Sequence, residues 1–440
     1  MFFSWSLLAR TPIIQGIQEN FALCTGCFLQ TTRSPIAGGS FFGEARLFSL
    51  TLGSPKAVRT IGAIVYRWTA IRALPTRPAI ECNNGRMSEN RLQTAIDNWL
   101  PRFTANGVEA SDLTRITEVA GDWSGWCGAW SGVAAEYEAM GREAMAAGET
   151  VSAGEHLARA ATYYHFAKFL FTPDRGAMAS AHRSAVGCLT DSLPHLEPPG
   201  RRIEVVYQGS LLPAVLRIPK DAAQPAAVVV LVPGLDSTKE ELRQVEASML
   251  ARGLATLAVD GPGQGEAEET LAIEPAYERA GAAIIDRLQE EEGIDPERIG
   301  VWGVSLGGYY AVRMAAADER IKACVSLSGP YDLGESWDRL PGLTREAFRE
   351  RSHSADDEAA RRRASDLTLR GRMETVRVPL LVIVGKRDRL FDWRDGMRMA
   401  EEAEGKAETI LLEEGNHGCA NLIWHHRPQS ADFLARHLIA

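Results

Sequence analysis

The chain has 440 residues, 45% of them hydrophobic and 24% charged, which is the balance of a soluble globular protein with ample material for a core. Its formal net charge of −9 argues against nucleic acid or an anionic membrane surface as a partner. No run of about 18 uninterrupted apolar residues offers a membrane span, and seven scattered cysteines form no disulfide framework, which fits a reducing, cytoplasmic compartment.

Residues 1–86 differ from the rest. Eight Arg and one Lys stand against three Glu, with no Asp and no His. An Arg-rich, acid-poor targeting leader is one reading. A secretory signal is disfavoured, because Met1-Phe2-Phe3-Ser4-Trp5 carries no charge ahead of its apolar residues. The favoured reading is a poorly structured extension translated from a start placed too early, with Met87 as the natural start. Cys24-Thr25-Gly26-Cys27 has zinc or redox spacing, but no second pair or His follows nearby, so no metal is assigned.

Residues 87–197 read as helical. Segments such as 136–147 and 153–171 are Ala-rich, with apolar residues at helical spacings. Trp123, Trp126, Trp130, Tyr163, Tyr164, His165 and Phe169 make this region aromatic enough to cover an apolar substrate. Most such stripes are core, but Tyr164, His165 and Trp126 are the candidates to reach a ligand. Leu196-Glu197-Pro198-Pro199-Gly200 breaks the pattern and marks the boundary to a second region, 198–440.

Beyond the boundary the rhythm changes. Residues 202–207 and 212–218 predict a hairpin. Short apolar runs, each fit for a strand buried on both faces, follow at 228–232, 255–259, 299–302, 323–328, 380–384 and 409–412. Helical stretches such as 277–291 lie between them. Alternating β and α segments predict an α/β fold with a doubly wound, mostly parallel sheet. The charged interval at about 333–377 predicts a helical lid above the sheet's carboxyl edge, with Arg361-Arg362-Arg363 on a solvated face.

The chemistry centres on Gly303-Val304-Ser305-Leu306-Gly307. It stands between an apolar strand and the helix-like Gly308-Tyr309-Tyr310-Ala311-Val312-Arg313-Met314, the context of a nucleophile elbow. Such a turn strains the serine backbone, exposes its Oγ and places a helix N-terminus beside it. A bare G-x-S-x-G is weak on its own. The partners decide: Asp388 lies at the lip of strand 380–384, and His417 lies in the loop Glu413-Glu414-Gly415-Asn416-His417-Gly418 after the last strand. The order Ser, Asp, His and the placement after strands are those of a nucleophile activated by an oriented base. Asp392 is the rival acid, four residues further on. The oxyanion donors are predicted to be the N–H of Leu306 and of Leu235, the latter in Pro233-Gly234-Leu235-Asp236-Ser237. Asp260-Gly261-Pro262-Gly263-Gln264-Gly265-Glu266 lacks the dinucleotide spacing and reads as a tight turn beside the site.

Together with Ser152-Ala153-Gly154-Glu155-His156 and Tyr163-Tyr164-His165-Phe166-Ala167-Lys168-Phe169, these motifs resemble the branch of the α/β-hydrolases that includes 2,6-dihydroxypseudooxynicotine hydrolase and fungal polyketide-shortening hydrolases. The likeness runs from about Arg91 to the C-terminus. It implies a helical domain ahead of the catalytic one, a homodimer, and hydrolysis of a carbon–carbon bond next to a ketone without metal or organic cofactor. It also implies a helping acid after the strand that follows the nucleophile, for which Glu335 is the candidate. The expected partner is a small apolar or aromatic ketone or ester. A carboxylesterase or dienelactone-type lactonase would use the same residues. A non-catalytic binding protein would be expected to have lost them.

Overall fold

The computed structural model describes residues 91–439 with their side chains. Of the preceding segment it describes the backbone of three strands, β1 (Leu29–Thr32), β2 (Arg46–Ser54) and β3 (Ala57–Val65). These pair antiparallel in the order β1-β2-β3 within a unit spanning Met1–Arg86. A stretch expected to carry little structure thus contains a small sheet. Cys24, Cys27 and Met87 lie outside the described residues.

The second unit, Met87–Ala440, opens with five helices: α1 (Arg91–Ala105), α2 (Ala110–Ala120), α3 (Trp126–Ala147), α4 (Thr150–Lys168) and α5 (Arg175–Ser192). Gly148 ends α3 in the left-handed region at φ 78°, and its N–H reaches back to the carbonyls of Ala144 and Met145. That cap lets α4 start two residues later. Gly141 admits the close packing of the pair, since a Cβ there would lie 2.7 Å from Leu157 Cγ. The helices enclose an aromatic core in which Phe103 meets Phe166 edge to face at 4.8 Å and Trp130 at 5.3 Å.

An eight-stranded sheet follows: β4 (Gly200–Tyr207), β5 (Ser210–Arg217), β6 (Ala226–Val232), β7 (Ala255–Val259), β8 (Ile294–Val304), β9 (Ile321–Leu327), β10 (Leu380–Gly385) and β11 (Ala407–Leu412). Its order is β11-β10-β9-β8-β6-β7-β5-β4; β5 runs antiparallel to both neighbours and the other pairs are parallel. Every residue of β6 is buried. Its Val228, Val230 and Val232 join one core with α7 (Glu278–Gln289) and α8 (Leu306–Ala317). Val229 and Leu231 join another with α6 (Arg243–Leu250) and α13 (Ile423–Leu438). Burial on both faces is why these strands read as continuous apolar runs.

Between β9 and β10 the chain forms α9 (Leu333–Ser336), α10 (Gly342–Arg351) and α11 (Asp357–Ser365), and α12 (Trp393–Glu402) follows β10. Arg361 and Arg362 are exposed on α11. Among the described residues no helix is long and apolar enough to cross a membrane.

Candidate active site

At the carboxyl end of β8 the chain turns sharply into α8, and Ser305 occupies the turn at φ 57° and ψ −126°. Only a position fixed from all sides holds a serine there. The two flanking glycines are required by space. A Cβ on Gly303 would sit 1.9 Å from the Gly307 carbonyl oxygen, and one on Gly307 would sit 2.1 Å from that of Val232. The Ser305 N–H is tied to Leu327 O at 2.8 Å, which anchors the turn to β9.

His417 Nε2 lies 2.9 Å from Ser305 Oγ, and His417 Nδ1 lies 2.8 Å from Asp388 Oδ2. The other carboxylate oxygen of Asp388 accepts the N–H groups of Leu390 and Phe391 at 2.8 and 3.1 Å. Acceptor bonds on both oxygens suit an ionised carboxylate. Such a carboxylate draws the imidazole proton to Nδ1 and leaves Nε2 as the acceptor for the serine proton. The Asp388 side chain is almost fully buried and that of His417 is 14% exposed. The edge of Phe391 meets the imidazole at 5.3 Å, and Gly418 N–H donates to Ser328 Oγ at 3.1 Å, which fixes the loop that carries the histidine. Asp392 is otherwise occupied: its side chain caps α12 through the Arg394 N–H and pairs with Arg394 and Arg339.

The loop after β6 passes directly over the serine. A Cβ on Gly234 would lie 3.2 Å from Ser305 Cβ. Gln264, in the turn after β7, donates through Nε2 to the carbonyls of Pro233 at 2.5 Å and Gly234 at 3.0 Å. In a trans peptide the N–H points opposite to the C=O, so holding the Gly234 carbonyl on the Gln264 side aims the Leu235 N–H away from it. This turn does pack beside the site.

Ser305 and His417 border two adjoining spaces. One is walled by Trp99, Leu242, Trp302, Val304, Leu327 and Ile423, with Asn98, Asn106 and Arg427 among them. The other is more uniformly apolar, with Leu235, Leu306, Leu340, Phe348, Leu390 and Phe391. Trp99 and Arg102 of α1 border both. Arg102 clamps the loop below: its guanidinium donates to both oxygens of Glu241 at 2.6 Å and to Asp236 at 2.7 Å. Burial alone would push the Glu241 carboxyl up, but Arg102 beside it holds it well below the usual range.

Four residues expected at the ligand stand elsewhere. Trp126 is 1% exposed and donates its indole N–H to Phe166 O inside the helical core. Tyr164 donates to Glu138 at 3.0 Å. His165 is fully buried between Thr238 and Glu241, at 2.9 and 3.1 Å. Glu335 is exposed on α9 and paired with Arg370. None borders the two spaces beside Ser305. The α1 residues that do border them were missed. The spacing of Asn98, Trp99 and Arg102 on α1, with Asn106 in the turn just after it, was their only signal.

Among the described residues one set of possible metal ligands converges: His182, Glu240 and Asp260. Two of the three already face a lysine. Lys239 Nζ lies 2.6 Å from Glu240, 2.7 Å from Asp260 and 2.7 Å from Glu266. Burial alone would lower its pKa, but these carboxylates outweigh that and keep the ammonium charged. Lys239 thus brings a positive charge of the protein's own to these carboxylates.

A family model described as "Alpha/beta hydrolase family" matches residues 229–435. The chain is 34% identical over 345 residues to 2,6-dihydropseudooxynicotine hydrolase of Paenarthrobacter nicotinovorans, which covers 78% of this chain and 92% of that protein. It is also 34% identical over 228 residues to 20-hydroxy-prefusarin hydrolase of Gibberella moniliformis, over 49% of this chain and 54% of that one. The crystal structure of the 2,6-dihydroxy-pseudo-oxynicotine hydrolase matches with a TM-score of 0.72 and 33% identity, over 78% of this chain and 96% of that one. That match takes in the helices ahead of the sheet as well as the sheet itself, so the chain, a hydrolase, belongs to the alpha/beta hydrolase family.

Proposed function

We propose that this protein hydrolyses a carbon–carbon bond next to a ketone, with Ser305 as nucleophile, His417 as general base and acid, and Asp388 as the carboxylate that orients it. The observation that carries the reading is the unbroken chain Ser305 Oγ, His417 Nε2, His417 Nδ1, Asp388 Oδ2, with links of 2.9 and 2.8 Å. The choice of bond rests on the similarity to 2,6-dihydropseudooxynicotine hydrolase along most of both chains.

His417 takes the Ser305 proton as Oγ adds to the ketone carbonyl. The resulting oxyanion is held by the N–H groups of Leu306 and Leu235. The tetrahedral centre collapses, the carbon–carbon bond breaks, and the leaving carbon takes the proton back from His417. Water, deprotonated by His417, then releases the acyl group from Ser305 as a carboxylic acid. The four described free cysteines, all buried, support a reducing, cytoplasmic setting. A homodimer follows from the family resemblance and is read by light scattering.

The test is a panel of aryl ketones and β-diketones set against p-nitrophenyl esters, with products identified by mass spectrometry. Cleavage of a ketone to an acid and a shortened fragment is the expected result. Rapid ester turnover with inert ketones would assign a carboxylesterase or lactonase instead. Failure of a fluorophosphonate probe to label the wild type at Ser305 would remove the serine mechanism altogether.

A further inference from the structure

Arg427, on α13 ten residues after His417, is a cation without a counter-ion. Its guanidinium makes two hydrogen bonds, both to neutral oxygens: Ala105 O at 2.8 Å and Asn106 Oδ1 at 2.9 Å. Among the described residues it forms no ion pair. The acid whose charge it feels is Glu241, and that carboxylate already accepts from other donors. Glu241 Oε1 accepts from Arg102 and Asn106, and Oε2 accepts from Arg102 and Ser237. Burial pushes the Arg427 pKa down to about 10, as expected of a guanidinium short of compensation, yet it stays charged at neutral pH.

Arg427 borders the first of the two spaces beside Ser305. Two more donors stand in the same wall. The Asn98 carboxamide, on α1, is half-buried at that wall. The Trp302 indole N–H is buried without an acceptor. The wall also carries Asp236, Ser237 and Glu241, with both carboxylates paired to Arg102, and its apolar part is formed by Val304, Leu327 and Ile423. With the wall's carboxylates already facing Arg102, the cation of Arg427 and the unsatisfied indole N–H of Trp302 beside an apolar surface select a flat apolar group that brings its own acceptor oxygen.

We propose that this space receives the leaving fragment of the substrate, an aryl or enol group bearing an anionic oxygen (carboxylate, phenolate or enolate) that binds Arg427 and Asn98. The inference rests on the carbon–carbon hydrolysis reading and deepens it. The carbon that leaves next to a ketone carries negative charge that is delocalised onto such an oxygen, and a guanidinium there stabilises it as it forms. The second, apolar space then takes the acyl portion.

The test uses the full chain and two ring-sized probes of equal shape, benzoate and benzamide, titrated by calorimetry at low ionic strength. Benzoate is expected to bind about tenfold more tightly than benzamide, the scale of one charge-assisted contact, and to slow fluorophosphonate labelling of Ser305. The preference should fall to parity in Arg427→Gln and survive in Arg427→Lys, and Asn98→Ala should weaken benzoate severalfold. Equal affinities in the wild type overturn the proposal without any variant, so a failure of Arg427→Gln to fold leaves it open to refutation. It is overturned equally by benzoate that binds without slowing labelling, or by a preference that persists in Arg427→Gln. Should Ser305 resist labelling while calorimetry still shows the Arg427-dependent preference, the serine mechanism fails and the anion site stands.

Discussion

Arg351, on α10, donates through its guanidinium to the carbonyl oxygen of Leu235 at 2.8 Å. The contact runs from the helical insertion above the sheet to the loop over Ser305, and Gln264 grips the adjacent carbonyls from below. The peptide that carries the Leu235 N–H is therefore held on both sides before any substrate arrives. Preorganisation of this kind is what makes an oxyanion donor effective, since no reorientation is needed as charge develops.

Gln264→Ala removes one of those holds and leaves two buried carbonyls unsatisfied. A fall in kcat of about 10–100-fold is expected with a smaller change in KM, because a misaimed donor is felt most in the transition state. Fluorophosphonate labelling should persist at a reduced rate. A variant with wild-type kcat would show that the loop holds its own geometry.

Ser305→Ala and His417→Gln should each lower turnover by about 10⁴-fold or more, and the double variant should cost little beyond either single one, since the groups act as a unit. Asp388→Asn should fall in a similar range by losing control of the His417 tautomer. Steady-state kinetics on one common substrate decide it. Additive losses in the double variant would separate Ser305 from His417.

Arg102→Met strips Asp236 and Glu241 of the cation that faces them in a largely buried setting. Stranding two carboxylates should cost about 3–5 kcal/mol of unfolding free energy, read as a lowered urea midpoint at pH 7.5. A loss below about 1 kcal/mol would mean that solvent reaches the pair and screens it.

Two groups tilt stability with pH in opposite directions. His426 is 2% exposed, and burial, followed by repulsion from Arg427, pulls its pKa from 6.5 down to about 4. The unfolded chain binds that proton first, so this contribution is complete above pH 6.5 and drains away between pH 6.5 and 4, at up to about 1.4 kcal/mol per unit. Asp395 does the reverse. Burial, then the charge of Asp392, lifts it from 3.8 to about 6, so the folded state keeps a proton that the unfolded state releases. Its cost grows from pH 3.8 to 6 and remains above that. Asp395→Asn should raise Tm at pH 7.5, with a smaller change at pH 4.5. A lower Tm at pH 7.5 would mean that the ionised carboxylate is welcome where it sits.

The sheet and its reactive rim were legible because local rules dominate there. Strands buried on both faces must be apolar along their whole length, and a serine at a strand end with a glycine two residues away on each side has few structural roles that require both glycines. Asp388 and His417 were singled out because each follows such a strand, and they lie within hydrogen-bond distance of each other, with His417 within reach of Ser305. The ligand walls were not legible. Trp99 and Arg102 look like any amphipathic surface until α1 is laid against the sheet, and Arg427 reads as an ordinary charge on a terminal helix. Tyr164 and His165 misled for the opposite reason. Their polar atoms suggested a ligand, but Glu138, Thr238 and Glu241 reach in from distant segments and satisfy them. Partners supplied across 26 to 76 residues leave no local trace.

Because α1 borders both spaces while Ser305, Asp388 and His417 stand beyond the ends of strands, the walls and the hydrogen-bonded chain are written in separate stretches of this polypeptide. Under the proposed hydrolysis, exchanging a few side chains on that helix retunes what is accepted while Ser305, His417 and Asp388 stay as they are.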